Sequence, residues 1–140
     1  MSRVHLKRGE AETALAKALW HKGYRYRLND KTLPGSPDIA ILRSKVAVFV
    51  DGEFWHGRDW GTKKQKLKSN REYWIEKIEE NIERDRRNDA RLEAIGWIPV
   101  HFWEKEVKKD LEGCVQEIEG WCIQRLIEDH MPDYPDSENI

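Results

Sequence analysis

Two apolar runs, Ile39–Leu42 and Val46–Val50, stand only three residues apart and constrain this chain more than any other feature. Both are apolar at nearly every position instead of alternating, the pattern of strands covered on both faces. Arg43-Ser44-Lys45 joins them, so the pair predicts an antiparallel hairpin near the middle of a sheet. A buried hairpin carries its charges where it emerges from the core. Here Asp38 opens the first run and Asp51 closes the second, which brings two carboxylates to one edge of the sheet.

If Ser44-Lys45 is a two-residue turn, Asp38 and Asp51 face each other with Cβ atoms about 4.5–5.5 Å apart. Ser-Lys is a poor sequence for such a turn, which leaves room for a slip in register. Glu53 lies two residues beyond Asp51 and shares its face in a regular strand. Three carboxylates gathered there repel one another unless a cation joins them. Such hard oxygen ligands suit Mg²⁺, with Mn²⁺ as a substitute, and a water on the ion can attack a phosphodiester. Each acid alone has a plainer reading, because Asp after Pro and Asp before Gly are ordinary turn chemistry.

Flanking segments supply what a buried sheet needs. Ala14, Leu15, Ala18 and Leu19 recur at helical spacing, with Gly23 as a stop, and Tyr24–Leu28 reads as a short strand. Residues 57–70 are polar, Gly- and Lys-rich, and are expected to form a mobile loop. A long helix is expected from Arg71 to Ile95, with Trp74, Ile78, Ile82, Leu92 and Ile95 on its apolar stripe. Trp97–Trp103 reads as a third core strand, at an edge or a bulge because of Pro99. A last helix is expected from Leu111 to Glu128. The resulting fold is α/β: a small mixed sheet with a central antiparallel hairpin, flanked by helices. Residues 1–131 are expected to form one domain and 132–140 an acidic, frayed tail.

Charge is segregated, although the net charge is only −1. Residues 1–31 carry eight Lys/Arg against three Asp/Glu, residues 58–77 carry seven against three, and residues 104–140 carry four against eleven. A local basic patch beside an acidic site fits a polyanion, and the run Lys63, Lys64, Lys66 could track phosphates. Cys114 and Cys122 stand eight apart, about 12 Å of helix rise, too far for a disulfide between them. With no CxxC, signal peptide or long apolar run, a reducing, cytoplasmic compartment and no membrane association are expected.

The segments LPGSPDIAIL and VAVFVDGEFWHG are preceded by EAETALAKALWHKGYRYRL and followed by YWIEKIEENIERDRRNDARLEAIGW. In this order and spacing, from about residue 9 to residue 104, the chain resembles the very short patch repair (Vsr) mismatch endonucleases of the PD-(D/E)xK nuclease superfamily. The resemblance implies a restriction-endonuclease-like core and a Mg²⁺-dependent nick in double-stranded DNA. It also implies site residues. Asp38 would be the principal metal ligand, joined by the Val50 main-chain carbonyl and by Asp51. His56 would activate the attacking water, with Glu12 in support. Phe54, Trp55 and Trp74 would wedge into the base stack, and Lys77 and Asn81 would approach the base pairs. Where repair members hold a structural zinc, this chain has Glu53, Arg58, Trp60 and Lys105, so no zinc is expected and Glu53 extends the acidic cluster.

Taken alone, aromatics at a strand end usually belong to the core, and His101 reads as structural or surface. Asn81 and Asp85 share the Ile78/Ile82 side of the helix, where Asp85 is expected to make structural hydrogen bonds. The leading function is a monomeric Mg²⁺-dependent endonuclease that nicks duplex DNA, with mismatches as one target. The alternatives are a Vsr-like nuclease for other DNA cleavage and a non-catalytic DNA-binding protein on the same fold.

Overall fold

In the computed structural model, which describes residues 9–52, 58–66 and 70–130, Ile39–Ile41 of the first apolar run and all of the second lie inside a four-stranded sheet. In chain order the elements are α1 (Glu10–His21), β1 (Arg27–Leu28), β2 (Ile39–Ile41), β3 (Val46–Asp51), α2 (Trp60–Lys66), α3 (Arg71–Ala94), β4 (Ile98–Trp103), α4 (Glu104–Lys109) and α5 (Leu111–His130). The sheet runs β1-β2-β3-β4. Its first three strands are antiparallel, and β4 lies parallel to β3 after the α3 crossover. Pro99 therefore sits on an edge strand, where its missing N–H is tolerated. Among the described residues no helix is long and apolar enough to cross a membrane.

The two sheet faces are built differently. On one, Ile39, Ile41, Val46, Val48, Val100 and Phe102 pack against Leu15 and Leu19 of α1, Val107 of α4 and Val115 and Ile118 of α5. On the other, Ala40, Ala47 and Phe49 pack with Leu92 of α3 and with Trp97. Ala40 and Ala47 are cross-strand partners, and their small side chains leave room for α3. Polar residues of α3 can thereby reach the carboxylate edge of the sheet.

The hairpin does not turn on Ser44-Lys45 alone. Residues Leu42–Lys45 form the turn, with Lys45 at φ 58. Ile39 consequently pairs with Val48, and continuing the register sets Asp38 beside Phe49 instead of Asp51. A two-residue turn of the favoured type needs left-handed backbone at both positions, and of Ser44 and Lys45 only Lys45 adopts it. Contacts from α5 hold the longer turn: Ser44 Oγ donates to Cys122 Sγ at 3.1 Å, and Arg125 Nε donates to the Ser44 carbonyl at 3.1 Å. Both cysteines are buried and free.

The expected mobile loop instead contains α2. Asp59, at φ 54, turns the chain, and its carbonyl accepts from the amides of Thr62 and Lys63. Trp60 Nε1 and Lys64 Nζ both donate to Glu79 Oε2 of α3, at 3.0 and 2.9 Å, and Arg71 donates to the Lys64 carbonyl. These tethers outweigh the weak helical propensity of a Gly- and Thr-containing segment. Ile95 also departs from the expected stripe and is exposed. The last helix is preceded by α4, and the two are separated at Asp110, whose side chain caps the Gly113 amide at 3.0 Å.

The loop before β2 is fastened at several points. The Asn29 amide donates to the Asp38 carbonyl, and Asp30 Oδ1 accepts from both the amide and the hydroxyl of Thr32. The Thr32 hydroxyl, followed by its amide, holds the Asp30 carboxyl below its ordinary pKa. Gly35 is the tightest point, at φ 80, where a Cβ would meet the Phe49 ring at 3.2 Å and Asn88 at 3.3 Å. Gly35→Ala is expected to cost about 1–3 kcal/mol through its left-handed backbone and the crowding of two walls of one cleft. Chemical denaturation checks this, and unchanged stability would contradict it.

Candidate active site

Strand alternation places the functional side chains. Val50 and Phe102 turn toward α1 and α5, so Phe49, Asp51 and His101 turn toward α3. Asp38 precedes Ile39 and shares the side of Ala40. The outcome is a cleft of about 360 Å³ between the sheet edge and α3, lined by Asp38, Val50, Asp51, Arg84, Asp89 and His101 among others. Asp38 and Asp51 thus meet in one cleft, although the observed register does not set them opposite each other. The Asp38 carboxylate is held there because its Oδ2 accepts the Val50 amide at 2.7 Å.

The least expected feature is His101. Its Nδ1 lies 2.7 Å from Asp51 Oδ2, and its Nε2 lies 2.8 Å from both oxygens of Asp89 on α3. The ring stacks on Phe49 with centroids 4.6 Å apart and planes 10° apart. A carboxylate on each side favours the imidazolium form, in which both ring nitrogens donate. Burial opposes that charge, but the hydrogen bonds from Asp51 and Asp89 and their charges prevail, raising the His101 pKa to about 9.

This charge has a consequence for stability. The folded pKa is above the ordinary 6.5, so the contribution is complete below pH 6.5 and disappears as pH rises through 9. With the side chain about one-third exposed (31%), screening reduces the loss to about 1 kcal/mol. Thermal unfolding in EDTA is expected to show the midpoint falling between pH 6.5 and 9 and a flatter profile in His101→Gln. An equally steep fall in both proteins would contradict the assignment.

The other expected site residues are distributed as follows. Glu12 is half-buried on α1 and is not among the described residues that line this cleft. Lys77 and Asn81 line a second groove along α3, with Arg84 and Arg87 and with Glu76, Glu79, Glu80 and Glu83. Trp74 is half-buried and meets the exposed Tyr73 edge-on at 5.0 Å. Lys63 lines a further cleft with Arg58, Trp103, Lys105 and Lys109, whereas Lys64 is ion-paired with Glu79. Asp85 lines the central cleft. Glu53, Phe54, Trp55, His56 and the Lys66 side chain lie outside the described residues.

His101 and Asp89 were not among the expected site residues, although partial signals exist. Asp85, Asn88, Asp89 and Leu92 follow helical spacing, so polar residues occupy the stripe that elsewhere faces the sheet. His101 alternates with Val100 and Phe102, but nothing local places β4 parallel to β3.

Residues 1–62 match the family described as DNA mismatch endonuclease Vsr. Over 107 residues the chain is 50% identical to the type II nicking enzyme V.NmeDIP of Neisseria meningitidis serogroup C, covering 76% of this chain and 72% of that protein. Over 116 residues it is 45% identical to the type II nicking enzyme V.HpaIIP of Haemophilus parainfluenzae, covering 83% and 82%. The DNA mismatch endonuclease Vsr of Escherichia coli K12 is 35% identical over 115 residues, covering 79% and 72%. The chain belongs to the Vsr family.

As a Vsr-family protein it is a DNA endonuclease, of a kind that generally depends on a metal ion. Among the described residues no group of three or more His, Cys, Asp and Glu side chains is arranged to cage a metal. Two carboxylates beside the Val50 main chain nevertheless fit a hard divalent cation, which needs one or two carboxylates and takes its other ligands from water and substrate phosphate. Both His101 nitrogens face carboxylates, so the imidazole does not belong to that donor set.

Proposed function

We propose that this Vsr-family chain hydrolyses one strand of double-stranded DNA with Mg²⁺ held by Asp38, Asp51 and the Val50 carbonyl, and that Mn²⁺ substitutes for it. The convergence of Asp38 and Asp51 in one cleft supports this reading more than any other observation. When bound, the ion supplies a water of lowered pKa and neutralises charge developing on the phosphate.

The chain's own residues then bind and orient the substrate. The Val50 amide keeps the Asp38 carboxylate in one orientation. Arg84, which lines both the cleft and the groove with Lys77 and Asn81, can offer its planar donor fork to a phosphate. Arg58, Lys63, Lys105 and Lys109 line a neighbouring cleft together with Asp59, Glu106 and Asp110, and its four cations would meet further phosphates. In the same reading His56 takes the proton from the attacking water, with Glu12 and Glu53 in support. Phe54, Trp55 and Trp74 stack on bases, while Lys64 and Lys66 flank the backbone.

A mismatched pair is the proposed target, in line with the names of the family and its Escherichia coli relative. The nicking rate on matched, G·T-mismatched and single-stranded oligonucleotides tests this, with the mismatched duplex expected to be cut fastest. Indifference to the mismatch would remove mismatch recognition and leave the nuclease. Absence of cutting on all three would remove the nuclease reading and leave a DNA-binding protein.

A further inference from the structure

Asp38 and Asp51 are steadied by different means. The Asp38 carboxylate is fixed by a main-chain amide of the neighbouring strand. Asp51 is the last residue of β3, where the strand ladder gives out. Its Oδ2 is met by an imidazole from β4, and that imidazole is held from behind by a carboxylate of α3. Three elements that converge only in the folded chain are thus joined in a line: Asp51, His101, Asp89. The Phe49 ring, 4.6 Å away and nearly parallel, limits rotation of the imidazole out of that line.

We propose that His101, anchored by Asp89, is the positioning residue that sets the Asp51 carboxylate for its metal ion. The inference rests on the reading of Asp51 as a ligand. An Asp side chain turns about two bonds, and a misplacement of about 1 Å at a catalytic group can cost about 100-fold in rate. The bond to Oδ2 restrains the carboxylate, and Asp89 keeps the imidazole from following Asp51 if that residue swings. His101 is not itself placed as a ligand, because both ring nitrogens face carboxylates, Asp51 on one side and Asp89 on the other.

Two uncharged variants separate positioning from charge. In His101→Asn the amide nitrogen stands where Nδ1 stood and can still donate to Asp51, but the bond to Asp89 is lost. In His101→Gln the amide nitrogen stands near the former Nε2, so the bond to Asp89 is kept and the one to Asp51 is lost. Calorimetric titration of the whole chain with Mn²⁺ is expected to show about tenfold weaker binding for His101→Gln and about threefold for His101→Asn. Equal affinities, or the reverse order, would overturn the inference, because both variants carry the same charge.

Should either variant melt below the assay temperature, Asp89→Asn carries the comparison, with a loss of about threefold expected and unchanged affinity overturning the inference. Nicking of duplex DNA, measured alongside, distinguishes the two readings. Ordered Mn²⁺ affinities without nicking would leave the positioning role and remove the nuclease. Nicking with equal affinities would do the opposite, and no Mn²⁺ binding by the wild type would overturn the inference together with the ligand assignment.

Discussion

Replacing Asp38 is expected to remove nicking almost entirely while leaving a folded protein. In Asp38→Asn the side-chain oxygen can still accept the Val50 amide, so the edge of the hairpin keeps its bond. Only the negative charge is lost, and with it the chief attraction for a divalent cation in the cleft. A bound metal supplies several kcal/mol of transition-state stabilisation, so the single-turnover rate on a labelled duplex should fall by about 1000-fold or more. Asp38→Ala should lose as much activity and also about 1–2 kcal/mol of stability, because the part-buried Val50 amide is left without its acceptor. Activity within tenfold of wild type in Asp38→Asn would remove this residue from the metal site.

The second large effect is on stability and falls on Phe49. This ring is 8% exposed and packs in the smaller cluster with Ala40, Ala47, Leu92 and Trp97. It also lies against Gly35 and stacks on His101, so one side chain supports the core, the loop before Asp38 and the imidazole beside Asp51. The neighbouring residues are small or already committed to other contacts, so the site cannot easily collapse. Phe49→Ala is expected to cost about 3–5 kcal/mol in urea denaturation, near the upper end for a core truncation. Phe49→Leu should restore more than half of that. A loss below about 1 kcal/mol for the alanine variant would mean that α3 is held to the sheet by other contacts.

Elements with a strong local period are legible in the residues alone. The spacing of Leu15 and Leu19 with Gly23 after them, the long α3, and the unbroken apolar runs of β2 and β3 all appear where expected. Asp38 and Asp51 do line one cleft, since any antiparallel hairpin between them returns to the same edge, but the register does not set them opposite each other. What escapes is whatever distant contacts decide. The turn at Leu42–Lys45 follows from Cys122 and Arg125, far along the chain, and α2 is held by Glu79 of α3. His101 and Asp89 become neighbours of Asp51 only through a parallel crossover, and the periodicity of neither segment announces it. His56 and the aromatics before it remain assigned by resemblance, since they lie outside the described residues.

The central claim is that this Vsr-family cleft performs metal-dependent hydrolysis of one DNA strand. Supercoiled plasmid incubated with the wild-type chain tests it most directly, because a single nick relaxes the circle and a double-strand cut linearises it. Conversion to the open circle with Mg²⁺, none in EDTA and none with Asp38→Asn is the predicted result. Equal and negligible conversion by the wild type and Asp38→Asn, or conversion that persists in EDTA, would contradict it.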